Sequence, residues 1–176
     1  MPVSVLGDWG NFYVIAGSAA AGLTGLTFVV IALAADARRV NTRGLRTFVT
    51  PTIVHFGTVL ALSAFLSVPH QSLFVLGLGL GIAGAAGVVY SLATAATLRR
   101  ISGFYTPVFA DWLWHAVLPT AAYAGLVLVA FVVARSTEAA LEGTAVFSMG
   151  LLYVGIHNAW DVAVSISVRG DETATR

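Results

Sequence analysis

The chain has 176 residues, of which 58% are hydrophobic and only 10% charged, and its mean hydropathy is +0.89; soluble domains carry about 25% charge, so a water-soluble fold is excluded. A net charge of +1 excludes the broad basic surface that nucleic acid requires. Cysteine and lysine are both absent, which removes disulfides, thiolate chemistry, iron–sulfur ligation, covalent haem, lysine Schiff bases and a P-loop lysine.

A helix that crosses the bilayer core needs about 20 mostly apolar residues. Five stretches qualify, at about 12–35, 48–68, 72–98, 108–134 and 143–168. They predict an all-α bundle of five transmembrane helices forming one domain over 1–176. The first is too long, and too free of a preceding positive charge, to be a cleavable signal. Apolar residues run continuously instead of alternating, which argues against barrel strands. Thr50-Pro51 and Thr106-Pro107 read as N-cap and N1 proline at the starts of spans two and four. Residues 36–47 predict a short inner loop, Pro69 closes span two, and Ser136 or Thr137 offers a cap ahead of span five.

Arginine placement predicts direction. Eight of the nine arginines fall after spans one, three and five, and only Arg135 falls on the other side. The positive-inside rule then puts the N-terminus outside and the C-terminus in the cytoplasm. Size and the Arg/Ala/Gly-rich composition point to a bacterial inner membrane, with membrane lipids as the surrounding partner.

Spans one and three are rich in small residues: Ser18, Gly22 and Gly25 in the first, Gly77, Gly79, Gly81, Gly84 and Gly87 in the third. Small residues at helical spacing let backbones approach closely. The expectation is that spans one and three pack on each other, or that they form a homo-oligomer seam.

Ionisable groups inside a span cost about 2.5–3.5 kcal/mol each and are functional by default. Here they are His55 in span two, Asp111 and His115 in span four, and His157 and Asp161 in span five. Each Asp–His pair is spaced i,i+4 and lies on one helix face. Spans four and five run in opposite directions, so the order of the pair reverses and Asp is the shallower partner in both. At about 1.5 Å per residue, all five groups fall in the cytoplasmic half. Asn158 also lies in span five, Tyr153 and Ser165 extend its polar stripe, and Thr52 and Thr58 flank His55. Pro119 cannot donate to the carbonyl of His115, so a bend is expected there. Trp112, Trp114 and Trp160 read as an interfacial belt.

His55, Asp111, His115, His157 and Asp161 thus form a candidate ligand set for a divalent metal, Zn, Fe or Mn, with an open position for a membrane-soluble substrate. Either Asp could ligate directly or orient its His from behind. Three alternatives use the same residues: a proton or cation relay, a b-type haem held by two histidines beside the span-three glycines, and a structural lock in a protein that modulates a membrane partner.

The runs Asp111-Trp112-Leu113-Trp114-His115 and Gly155-Ile156-His157-Asn158-Ala159-Trp160-Asp161, with the opening Asp8-Trp9-Gly10-Asn11-Phe12, resemble those of a group of small multi-span bacterial membrane proteins. The resemblance implies a fold and a location, and no activity. The ligand set is similar to that of membrane zinc hydrolases of the ceramidase and adiponectin-receptor type. Five spans instead of seven, and the lack of Ser–xxx–His and His–xxx–His motifs, limit that to analogy.

Overall fold

The computed structural model describes the backbone over residues 3–36, 42–101 and 108–174, and side chains over 7–32, 49–100 and 108–164. All elements among the described residues are helical: α1 (Val3–Asp36), α2 (Thr42–Leu66), α3 (Leu73–Ile101), α4 (Phe109–Val132) and α5 (Thr137–Ala174). Each contains a segment long and apolar enough to cross a membrane. With 34 and 38 residues, α1 and α5 extend well beyond a hydrocarbon core of about 30 Å, at about 1.5 Å per residue. Large apolar side chains such as Phe74, Phe109 and Phe131 face outward on several helices, as expected where lipid replaces water.

Helix ends follow local chemistry. Ser72 Oγ accepts the Val75 amide at 3.2 Å and Ser136 Oγ accepts the Ala139 amide at 3.3 Å, capping α3 and α5. After α2, the Gln71 amide donates to the carbonyls of Phe65 and Val68, and exposed His70 takes a left-handed φ of 60° to complete the turn. Pro51 departs from the expected helix start. It lies inside α2, because the helix already begins at Thr42 in the arginine-bearing segment. The expected cap at Thr106-Pro107 lies outside the described residues; the Asp111 carboxylate instead accepts the Val108 amide at 3.0 Å at the start of α4.

In the packing, α3 lies against α4, α4 against α5, α5 against α2, and α1 covers α2 and α5. The expected pairing of spans one and three gives way to a pairing of three with four. A Cβ on Gly84 would stand 2.8 Å from the Val127 backbone nitrogen and 2.9 Å from the Tyr123 carbonyl oxygen, and one on Gly77 would stand 3.2 Å from the Ala130 carbonyl. Gly77 and Gly84 therefore bring α3 and α4 into backbone contact, while Gly79 faces the Phe65 ring of α2. Gly22 and Gly25 of α1 have open space around them. The glycine that α1 uses is Gly17, whose added Cβ would come within 2.8 Å of Ser63 Cβ on α2. Fully buried Tyr13 ties α1 to α5 by donating to the Leu141 carbonyl at 2.8 Å.

The glycine contacts make a direct prediction. Gly84→Ala should cost about 1–3 kcal/mol, because the new methyl meets backbone that cannot rotate away. Gly22→Ala should be neutral or stabilising by up to about 1 kcal/mol. Thermal unfolding of the two variants in one detergent checks the difference.

Candidate functional site

Of the polar residues picked out in the sequence, His55, His115 and Asn158 occupy the interior between α2, α4 and α5, whereas the His157 side chain is 32% exposed and the Asp161 side chain 57% exposed. His55 is 1% exposed, His115 is 7% exposed, and Asn158 is completely buried. His115 interacts electrostatically with His157, Asp161 and Asp111, and His55 with His115. The three helices therefore bring their imidazoles into one region, although they are far apart in the chain.

Helix α4 presents His115 through a break in its regularity. Leu113–Val117 forms a π-helical turn, in which the Leu118 amide bonds to the Leu113 carbonyl five residues back. Pro119, buried in the next turn, has no N–H for the His115 carbonyl and its ring would press on that carbonyl. One extra residue in the turn relieves the conflict, which is a recognised cause of π-bulges and of the bends they introduce. The expected proline effect is thus a widened turn centred on His115.

Each histidine has one ring nitrogen engaged by the protein. His55 Nδ1 lies 2.9 Å from the Tyr123 hydroxyl, which also lies 3.2 Å from Thr58 Oγ1. Thr58 donates its own proton to the Val54 carbonyl at 2.9 Å. Thr58 can therefore only accept from Tyr123, so the phenol donates to it and accepts from His55 Nδ1–H. In the neutral ring this leaves a lone pair on His55 Nε2, which is buried and has no hydrogen-bond partner. At His115, Nδ1 lies 3.2 Å from the Asp111 carbonyl oxygen, an acceptor only, so Nδ1 carries the proton. At His157, Nε2 lies 3.3 Å from the Asp161 carboxylate, while the ring stacks on Trp114 with centroids 3.7 Å apart.

The two aspartates take different places. Asp161 is the partner of His157, as the i,i+4 spacing predicts. Asp111 serves its histidine through its backbone carbonyl, and its carboxylate turns to the Val108 amide. Among the described residues, no three His, Cys, Asp or Glu side chains come together as a group able to hold a metal ion.

The tryptophans also divide. Trp160 is 67% exposed, in keeping with a belt position. Trp114 instead forms a wall of the site against His157 and Tyr153, and Trp112 lies under the Arg99 guanidinium at 5.7 Å. Both amide atoms of Asn158 are buried without a partner, an uncommon state for a protein interior.

Sequence reasoning missed Tyr123, the residue that joins α4 to α2. The available signal was its position two turns beyond His115, on the same helix face. Gly87 creates the space for it: a Cβ there would lie 2.0 Å from the Tyr123 ring.

Tyr123→Phe should therefore destabilise the chain by about 1–3 kcal/mol, because His55 Nδ1 and Thr58 Oγ1 lose their shared partner in a dry interior. Adding Thr58→Val to that variant should cost much less than Thr58→Val costs the wild type. A double-mutant cycle of thermal stabilities measures the coupling. No family profile, curated protein or solved structure matches the chain.

Proposed function

We propose that this chain is a multi-pass protein of a bacterial plasma membrane, N-terminus outside, that relays protons through His55, His115 and His157 in the cytoplasmic half of the bilayer. The observation that carries the reading is the buried His55 imidazole, whose Nδ1 is held by the Tyr123 hydroxyl while Nε2 stays without a partner. A relay group must accept a proton on one side and release it on the other, and imidazole does this with its two nitrogens. Here each ring holds one nitrogen against a protein group, and on His55 the other nitrogen, Nε2, is left as a buried base without a partner. Asp161 compensates positive charge on His157, with the Trp114 face alongside it. The unpartnered amide of Asn158 and Nε2 of His55 add polar atoms to the same interior, where a proton or a water carrying one finds acceptors.

A second reading keeps the same residues and places a divalent metal, Zn, Fe or Mn, among His55, His115 and His157. It is favoured by the outward anchoring of each imidazole: a hydroxyl, a backbone carbonyl and a carboxylate are typical partners for the far nitrogen of a metal-bound histidine. Binding would require the three rings to close on the ion, since as placed they do not form a metal-holding group.

Infrared difference spectroscopy on a pH jump tests the relay. The expected spectrum contains imidazole and tyrosine bands that change together; Tyr123→Phe abolishes the tyrosine component, and His115→Phe uncouples what remains. A spectrum without imidazole bands overturns the relay. Metal analysis of protein purified without added metal decides the second reading: near-stoichiometric Zn, Fe or Mn that disappears in His115→Ala would favour it. A Soret band in the same sample would point to b-type haem.

A further inference from the structure

A groove of about 630 Å³ runs between α2 and α3, lined by Gly57, Thr58, Ala61, Ala83, Gly87 and Tyr90 among others. Its walls are apolar except for the hydroxyls of Thr58 and Tyr90. It lies within both membrane-spanning segments, so whatever fills it comes from the bilayer. Phe65 crosses from α2 onto Gly79 of α3 and closes one end, while small residues along the walls leave width for a flat group.

Thr58 connects this groove to the buried layer. Its oxygen donates to the Val54 carbonyl and accepts from Tyr123. A hydroxyl oxygen has two acceptor positions, so one remains on Thr58. That position suits an O–H donor. An alkyl chain would fill the space but would offer nothing to a hydrogen-bonded Thr–Tyr–His chain that ends on the groove wall.

We propose that the α2–α3 groove binds a membrane-soluble aromatic ring bearing a hydroxyl, of the phenol or quinol class, with the ring between the small residues and its O–H on Thr58. The inference goes beyond the relay reading: it concerns binding at Thr58, whose proton is held by the Val54 carbonyl and whose oxygen accepts. The volume lies in the usual range of about 300–1,000 Å³ for small-molecule sites.

The test uses the full chain in lipid nanodiscs with radiolabelled 4-decylphenol, and decylbenzene as the matched probe without the hydroxyl. Expected is saturable, near-stoichiometric retention of the phenol above that of empty discs, and no saturable retention of decylbenzene. Thr58→Val should weaken phenol binding about tenfold, the loss of one hydrogen bond. Gly57→Phe should abolish it; a Cβ on Gly57 has nothing within 4 Å, so the side chain enters the groove without a clash at its base. An unchanged unfolding midpoint for Gly57→Phe shows that the fold is retained, and a groove-floor variant, Ala83→Leu, replaces it otherwise. Equal retention of both probes overturns the proposal in favour of an acyl-chain groove. Phenol retention that survives both groove-filling variants overturns it too, as does a wild-type dimer that Gly57→Phe converts to monomer, which would make the occupant a second copy. Phenol binding with an infrared spectrum lacking imidazole bands would leave the groove standing and end the relay; the converse result would do the opposite.

Discussion

The interior depends on one constraint: hydrocarbon offers no hydrogen bonds, so a polar atom taken into the bundle is costly unless the protein supplies its partner. Tyr123 is where that constraint is met most fully. Its ring is completely buried, and its hydroxyl serves both His55 and Thr58 from across the helix interface. Without it, His55 Nδ1 would face apolar surroundings with nothing to bond, and Thr58 would keep only its bond to the Val54 carbonyl. Gly87, for its part, has given up a side chain so that the ring can lie against α3. One missing methyl group thus sets the position of a phenol, and the phenol fixes which nitrogen of a buried histidine holds the proton.

A similar exchange of local regularity for a polar arrangement occurs on α4. A regular helix through Pro119 would strand the His115 carbonyl and clash with it. The π-helical turn accepts poorer local geometry and in return carries His115 inward, with its Nδ1 on the Asp111 carbonyl. Trp114, the preceding residue, is delivered by the same turn to the opposite contact, flat against His157. Proline, histidine and tryptophan within six residues therefore act as one device, and the two imidazoles of α4 and α5 are placed by a single irregularity.

Much of this was legible in the sequence. Five apolar runs with arginines at alternate ends predict the spans directly, because length and charge are the quantities a bilayer selects. The pairing of His157 with Asp161 was legible too, since i,i+4 spacing puts both on one helix face. Neighbour choice was hidden: Gly22 and Gly77 look alike as letters, yet one faces open space and the other a carbonyl of α4. Side-chain direction was hidden for the same reason. Asp111 and Asp161 have identical spacing to their histidines, but Asp111 sits in the first turn of its helix, where an exposed amide competes for the carboxylate. Pro51 misled because a proline preceded by threonine looks like a helix start, while the helix-forming segment upstream carries the turn through it.

Among the described residues, the hydroxyls on the far side of the polar layer are closed by backbone carbonyls. Tyr13 gives its proton to the Leu141 carbonyl, and Thr144 gives its own to the Ala140 carbonyl at 2.7 Å. Each such bond ends on a backbone oxygen with no proton to pass on. Between them and the layer, the Phe56 ring occupies the space that Gly155 leaves open, and buried Leu151 lies one turn further along α5. A positive charge moving outward from His55 along that direction would meet apolar side chains and closed hydroxyls. Toward Tyr123 it meets Thr58, whose own proton is likewise held by a backbone carbonyl, that of Val54, so the hydroxyls end there as well.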